Sequence, residues 1–230
     1  MLCFLFVFYQ MILNKNRLIH DDHHGFTLIE LLVTITILAI LITIIVVLID
    51  PAEIFKKTRD ARRIADLSGM RDALTFVSVA SGGVFDADGG NISTCSDEGS
   101  RSVYVSAPQE ITMHSAPSGW MWKQVAKVFI ATVGGTGWIP VNFTGVTGGS
   151  SLFNLPIDPR NVDSPSVGSR FFYSYACRRA DSKFELNAKL ESADFGPGGG
   201  DDKSVIDGGD VSDVYEIGSS ANILPTSGVY

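Results

Sequence analysis

Histidine, cysteine and positive charge are all scarce in this chain. Of 230 residues only four are histidine and three are cysteine, and His114 is the one histidine beyond residue 24. Chemistry built on paired imidazoles therefore has nothing to use in most of the sequence. The H-E-x-x-H, G-x-S-x-G and phosphate-loop patterns are missing as well. The nearest nucleotide-like run, VFIATVGGTGWIP, puts Pro140 where a dinucleotide fingerprint needs its third glycine. A formal net charge of -7 excludes the broad basic face that neutralises duplex phosphates, which argues against nucleic acid as a partner. An enzymatic reading is left without a catalytic constellation, and no motif requires a cofactor.

Apolar residues are present in quantity, at 45% of the chain, enough for one ordinary core. From Phe26 onward an apolar run of about 24 residues is interrupted only by Glu30 and by threonines, long enough for the ~30 Å hydrocarbon core at ~1.5 Å per residue. Lys15 and Arg17 precede it and Asp50 follows, so the positive-inside bias puts the N-terminus in the cytoplasm and the bulk of the chain outside. The first residues, MLCFLFVFYQMIL, form a shorter apolar run with its basic residues on the wrong side for a secretory signal. The natural start is therefore expected at Met11, giving a short polar leader. His20, Asp21, Asp22, His23 and His24 carry metal-ligand chemistry on paper, but they read as part of that leader.

Beyond the span, Ile54, Ala61, Ile64, Leu67, Met70, Leu74 and Val77 recur every three or four residues, the spacing of one helical face. Lys56, Lys57, Arg59, Arg62 and Arg63 fill the remainder and read as a solvated face. With Pro51 kinking it or sitting early in its second part, the span and this segment predict one long helix of roughly 80 Å, half apolar and half amphipathic. Glycines from position 82 onward end it. SKFELNAKLE alternates Phe184, Leu186, Ala188 and Leu190 with polar residues, as a half-buried strand does. FFYSYACRR reads as its neighbour, SVYVSA and DVYEIG as further strands, and GWIPVNF as a short edge strand limited by Pro140. WMWKQVAKVFIATV fits helix or strand. The predicted class is α+β: a long N-terminal helix packed on a C-terminal antiparallel sheet.

Glu30 is the residue an ordinary anchor would lack, because an ionisable group in a spanning segment is costly unless it works. A cut between Gly25 and Phe26 would create an ammonium four residues before it, and the two charges could neutralise each other within or between chains. The run GFTLIELLVTITILAILITIIVVLI, residues 25–49, closely resembles the N-terminal segment of type IV pilins and type II secretion pseudopilins. LPIDPRN, FELNAKLES and DGGDVSDVYEIG look, more weakly, like the C-terminal half of major-pseudopilin-like proteins. The resemblance implies Gly25 as the prepilin peptidase recognition residue, Phe26 as the methylated new terminus and Glu30 as the charge that aligns an incoming subunit. Pro51 departs from it, lying about one turn later than the proline such helices usually carry.

The implied organisation is a leader at 1–25, a transmembrane and assembly helix at 26–49, an amphipathic helix at 50–80 and an exported β-rich globular domain at 81–230. The implied role is a structural filament subunit, a helical homopolymer of itself. Its implied partners are the prepilin peptidase, an assembly ATPase, an inner-membrane platform protein and, for the precursor, the membrane. The alternative is a minor or tip subunit that binds DNA or a surface ligand. Asp207, Asp210 and Asp213, in a glycine-containing acidic loop, are candidate calcium ligands by their oxygen chemistry and by the resemblance, although the loop does not fit the EF-hand template. Cys95 and Cys177 both fall in the exported part, where a disulfide is favoured over two separate thiols. Trp120, Trp122 and Trp138 read as core rather than as an adhesive surface.

Overall fold

The computed structural model describes residues 26–80, 95, 101–146, 150, 152–163, 170–178 and 181–230. The leader, Gly25 and the glycines at 82, 83, 89 and 90 lie outside them. The chain divides into two compact units, Met1–Ile49 and Asp50–Tyr230.

The first unit holds one described helix, α1, Leu28–Ile49. Its window Leu28–Val46 has a mean hydropathy of 2.8 and none of it is buried within the molecule, so by length and composition it can cross a membrane. The threonines do not break it. Thr34, Thr36 and Thr43 donate their hydroxyls to the carbonyls of Leu31, Val33 and Ala39, each at 2.8 Å, which satisfies a polar group without water.

The second unit begins at Asp50, whose φ of 42° leaves the helical region at the point where Pro51 is expected to kink the long helix or to sit early in its second part. Asp50 starts the second helix, with Pro51 early in it. Its Oδ1 accepts the Ala52 N–H at 3.2 Å, its carbonyl accepts the Glu53 N–H at 3.1 Å, and Pro51 takes the first helical position, where its missing N–H costs nothing. Helix α2, Pro51–Ala80, follows. Its buried residues are Asp60, Arg63, Leu67, Met70, Ala73, Leu74 and Val77. The apolar half of this face is the one the periodicity predicts, whereas Ile54 and Ala61 are exposed and Asp60 and Arg63 take the inner positions of the N-terminal half.

Five strands form one sheet: β1 Arg101–Val105, β2 Trp120–Lys123, β3 Tyr173–Arg178, β4 Lys183–Ala188 and β5 Tyr215–Gly218, in the order β2-β1-β3-β4-β5. All neighbouring pairs are antiparallel except β1 with β2, which is parallel, so the expectation of a purely antiparallel sheet is corrected at this edge. The ambiguous WMWK run becomes β2. GWIPVNF is not a strand. It makes one isolated bridge, Gly134 to Asn142, and sends Trp138, Ile139, Val141 and Phe143 into the core as a buried loop, with the Trp138 indole N–H satisfied by the Pro156 carbonyl at 2.9 Å.

Helix α2 packs on β4 and β5, and its apolar face meets Tyr173, Tyr175, Phe184, Leu186 and Ala188. The opposite face of the sheet is also covered. Val103, Val105, Phe172 and Ala176 there meet Val214, Ile223, Leu224, Val229 and Tyr230 from the C-terminal segment. The half-buried reading of SKFELNAKLE therefore fails, because Glu185 and Asn187 are as buried as the leucine between them.

Cys95 and Cys177 are joined by a disulfide that closes a separation of 82 residues and ties Cys95 to β3. By loop-closure entropy it contributes about 4 kcal/mol. Urea unfolding of the full chain in detergent should show a loss of about 2–5 kcal/mol on Cys95→Ser/Cys177→Ser substitution, and dithiothreitol should affect only the parent. Equal stability of the two proteins would contradict this account.

Candidate functional site

The N-terminal end of α1 is where chemistry and structure meet. Thr27 is the helix N-cap: its hydroxyl accepts the Glu30 N–H at 3.3 Å, and Glu30 Oε2 accepts both the Thr27 N–H at 3.1 Å and the Thr27 hydroxyl at 2.9 Å. This is the reciprocal capping box of a Thr-x-x-Glu sequence, in which two donors left over at a helix start are satisfied by side chains. Glu30 thus has a local task, and a carboxylate at the positive end of the helix dipole is stabilised there. The TLIE spelling carried this signal, but the cost of a charge in an apolar run drew the sequence reading elsewhere. Phe26 is exposed, as are Leu28, Ile29, Leu31 and Leu32 after it, so this end of the helix offers a contiguous apolar surface around one carboxylate.

The candidate calcium residues do not form a donor set. Asp207 spends Oδ1 on the Gly209 N–H at 2.9 Å and Oδ2 on the Glu216 N–H at 2.7 Å. Asp210 is exposed, and Asp213 faces Lys189 at 3.9 Å. Among the described residues no three His, Cys, Asp or Glu side chains converge as a metal would require. The loop is shaped by its own hydrogen bonds.

His114 also has a structural place. Its Nδ1 lies 3.0 Å from Asp163 and its Nε2 3.1 Å from the Gly228 carbonyl, tying the C-terminal segment to the loop before β2. Trp122 packs edge-on to it and donates its indole N–H to the His114 carbonyl at 2.7 Å, while Trp138 is fully buried. None of this places a nucleophile beside a base.

A charged cluster that the sequence did not reveal joins α2 to the segment at Asp158 and to the chain just after β4. Arg63, with no exposed surface, forks onto Asp158 at 2.6 and 3.0 Å and reaches Asp60 at 2.8 Å and Glu191 at 2.6 Å. Arg59 binds both oxygens of Glu191 at 2.9 and 2.8 Å, and Arg160 adds a contact at 3.3 Å. Asp60 also accepts the Glu191 and Ser192 N–H groups. The expectation that these arginines lie on a solvated face is corrected for Arg63. Burial alone would raise the Glu191 carboxyl, but the hydrogen bonds and charges of Arg59 and Arg63 overcome it and hold it down at about 2. Arg63 is kept cationic against its own burial by Asp158 and Glu191.

In comparison with known proteins, residues 21–46 fit the family model of the prokaryotic N-terminal methylation motif. The fit covers the capped end and most of α1, a segment typical of type IV pilin-like prepilins. No curated protein and no solved structure matches the chain.

Proposed function

We propose that this chain is the structural subunit of a type IV pilus-like or type II secretion pseudopilus filament, made as a single-pass membrane precursor and polymerised through α1. A prepilin peptidase cuts after Gly25, Phe26 becomes the methylated terminus, and the Asp50–Tyr230 unit stays outside the membrane. The observation that supports this most directly is an apolar helix with none of its window buried in its own molecule, beginning in a methylation motif and capped by Glu30. Such a surface needs lipid first and neighbouring helices later.

The physical sequence of events follows from Glu30. In the precursor its carboxylate is committed to Thr27 and the start of its own helix. Cleavage adds an ammonium within about one helical turn, and in a bundle of helices the same carboxylate can pair with the terminal ammonium of a neighbour. A misregistered helix would leave one charge unpaired in an apolar surround, so the pairing selects the register. An assembly ATPase and an inner-membrane platform protein supply the work of removing α1 from lipid.

N-terminal peptide mapping of the chain coexpressed with a prepilin peptidase is the test. A mature chain starting at N-methylated Phe26 supports the reading. An intact N-terminus in the presence of a peptidase that processes a control substrate overturns it.

A further inference from the structure

Two asparagines of this chain open an Asn-x-Ser/Thr triplet, the pattern of an acceptor for sugar on an amide nitrogen. Asn91-Ile92-Ser93 lies outside the described residues. Asn142-Phe143-Thr144 lies within them, on the loop that carries Trp138 and Ile139 into the core.

The fold turns Asn142 outward. Val141 and Phe143 have no exposed surface, whereas Asn142 between them is half-buried, and Thr144 and Gly145 after it are exposed. The backbone here makes an isolated bridge from Gly134 to Asn142 rather than a strand, and the Phe143 N–H donates to the Val133 carbonyl at 2.9 Å. Two anchored neighbours thus leave the side chain between them facing away from the core.

Thr144 holds the Asn142 amide by its oxygen. Its N–H donates to Oδ1 at 3.0 Å and its hydroxyl donates to the same atom at 2.7 Å, an Asx turn closed by a second bond. A backbone N–H can only donate, so the amide atom facing it is the oxygen, and the NH2 group takes the other side. Nδ2 meets no acceptor among the described residues. The buried side-chain atoms left without a partner are the Tyr175 hydroxyl, Glu185 Oε1 and Asn187 Oδ1, so the Asn142 nitrogen is turned to water instead. Gly145 keeps the space beside it open, since even a Cβ there would come to 3.4 Å from Nδ2.

An amide nitrogen is a weak nucleophile because its lone pair is delocalised toward oxygen. Two donors on Oδ1 stabilise the negative charge that gathers there when Nδ2 gives up a proton, which favours attack by the nitrogen. Serine and threonine are the residues that offer both an N–H and a hydroxyl at this spacing.

We propose that Asn142 is an N-glycosylation site. The donor is an oligosaccharide on a polyprenyl diphosphate in the membrane, and the catalyst is an oligosaccharyltransferase acting on its outer side. The bond from Nδ2 to the anomeric carbon forms as the bond from that carbon to the diphosphate oxygen breaks. The bonding pair leaves with the polyprenyl diphosphate, Nδ2 passes one proton to a base of the transferase, and nothing is oxidised or reduced. Phe143 belongs to the core of the folded chain, so transfer precedes packing of this loop, and the finished fold holds the sugar in solvent. The proposal rests on the orientation that puts the Asp50–Tyr230 unit outside the membrane, and on neither cleavage nor assembly.

The test is peptide mapping by mass spectrometry of the protein extracted from membranes of its own cells, alongside Asn142→Gln, Thr144→Ala and Thr144→Ser chains expressed there. The peptide bearing Asn142 should carry an oligosaccharide on most chains, with electron-transfer fragmentation placing it on Asn142. Asn142→Gln and Thr144→Ala should lose it completely. Thr144→Ser should keep it, because serine supplies the same N–H and hydroxyl. Sugar that survives Thr144→Ala, or that sits on Thr144 itself, overturns the proposal. So does a bare Asn142 peptide from chains whose Cys95–Cys177 bridge has formed, because the bridge marks passage into an oxidising compartment. The N-terminus is read in the same digest. A glycosylated chain that keeps its leader upholds this site and defeats the filament reading, and a bare, bridged chain starting at Phe26 does the reverse.

Discussion

A Gly25→Ala chain coexpressed with a prepilin peptidase stays uncut, retains its leader and forms no filaments. The proposed cut requires the peptidase to hold the residue before the scissile bond, and the resemblance of residues 25–49 assigns that place to glycine. A methyl group there meets whatever surface the glycine backbone approaches. The consequence for assembly is electrostatic. An uncut chain carries His20, Asp21, Asp22, His23 and His24 immediately before the apolar helix, and it has no terminal ammonium at Phe26 to meet a Glu30 carboxylate. Drawing this end of α1 into a bundle would desolvate carboxylates without partners, at several kcal/mol per ion. Intact mass and electron microscopy of sheared surface material read the two effects separately. Loss of filaments with normal cleavage would move the defect from processing to assembly, and normal cleavage with normal filaments would remove Gly25 from the mechanism.

Arg63→Met is expected to cost the Asp50–Tyr230 unit about 3–5 kcal/mol, the loss typical of removing one partner from a buried charge cluster. Methionine fills similar volume, so the loss reports charge rather than a cavity. Asp60 and Asp158 keep their backbone donors but lose the buried Arg63 cation, and Arg59 and Arg160 remain on Glu191. Arg63→Lys should recover only part, because an ammonium cannot fork onto Asp158 while also reaching Asp60 and Glu191. Arg62, one residue earlier and exposed, is the control, with an effect within about 0.5 kcal/mol.

The pH dependence has a definite sign. Glu191 is held below its ordinary value, so its contribution is present above about 4.5 and is lost as pH falls through about 2. In Arg63→Met the Glu191 carboxyl loses one of the charges that hold it down and takes up a proton more readily, so the deficit should shrink in acid. Urea unfolding of both proteins at about pH 7 and about pH 4 measures this. A deficit under about 1 kcal/mol at neutral pH, or one that grows in acid, would show that the cluster does not hold the helix to the segments at Asp158 and Glu191.

The legibility of this protein from its sequence was uneven, for identifiable reasons. Runs of a single character were clear: α1 is apolar throughout, the second half of α2 repeats Leu67, Met70, Leu74 and Val77, and Phe184 alternates with Leu186 and Ala188. GWIPVNF was misjudged because a buried loop and an edge strand bury the same residue types, and only the path of the chain separates them. Asp50-Pro51-Ala52-Glu53 carried an N-cap with proline after it, and of the two expectations for Pro51, a kink or a place early in the second part, the cap selects the second.

By itself the sequence determined the membrane-length helix, the methylation motif that overlaps most of it and the α+β class, because each rests on local periodicity or on neighbouring residues. Tertiary structure alone decided the fate of the polar residues. Arg63 meets Asp158 and Glu191 across 95 or more positions of chain, and Glu185 meets the Ile223 and Leu224 amides across 38 and 39. Glu185 and Asn187 look like the wet side of a strand until the C-terminal segment covers them. Whether a charge faces water or a partner depends on what folds over it, and no spacing along the chain records that.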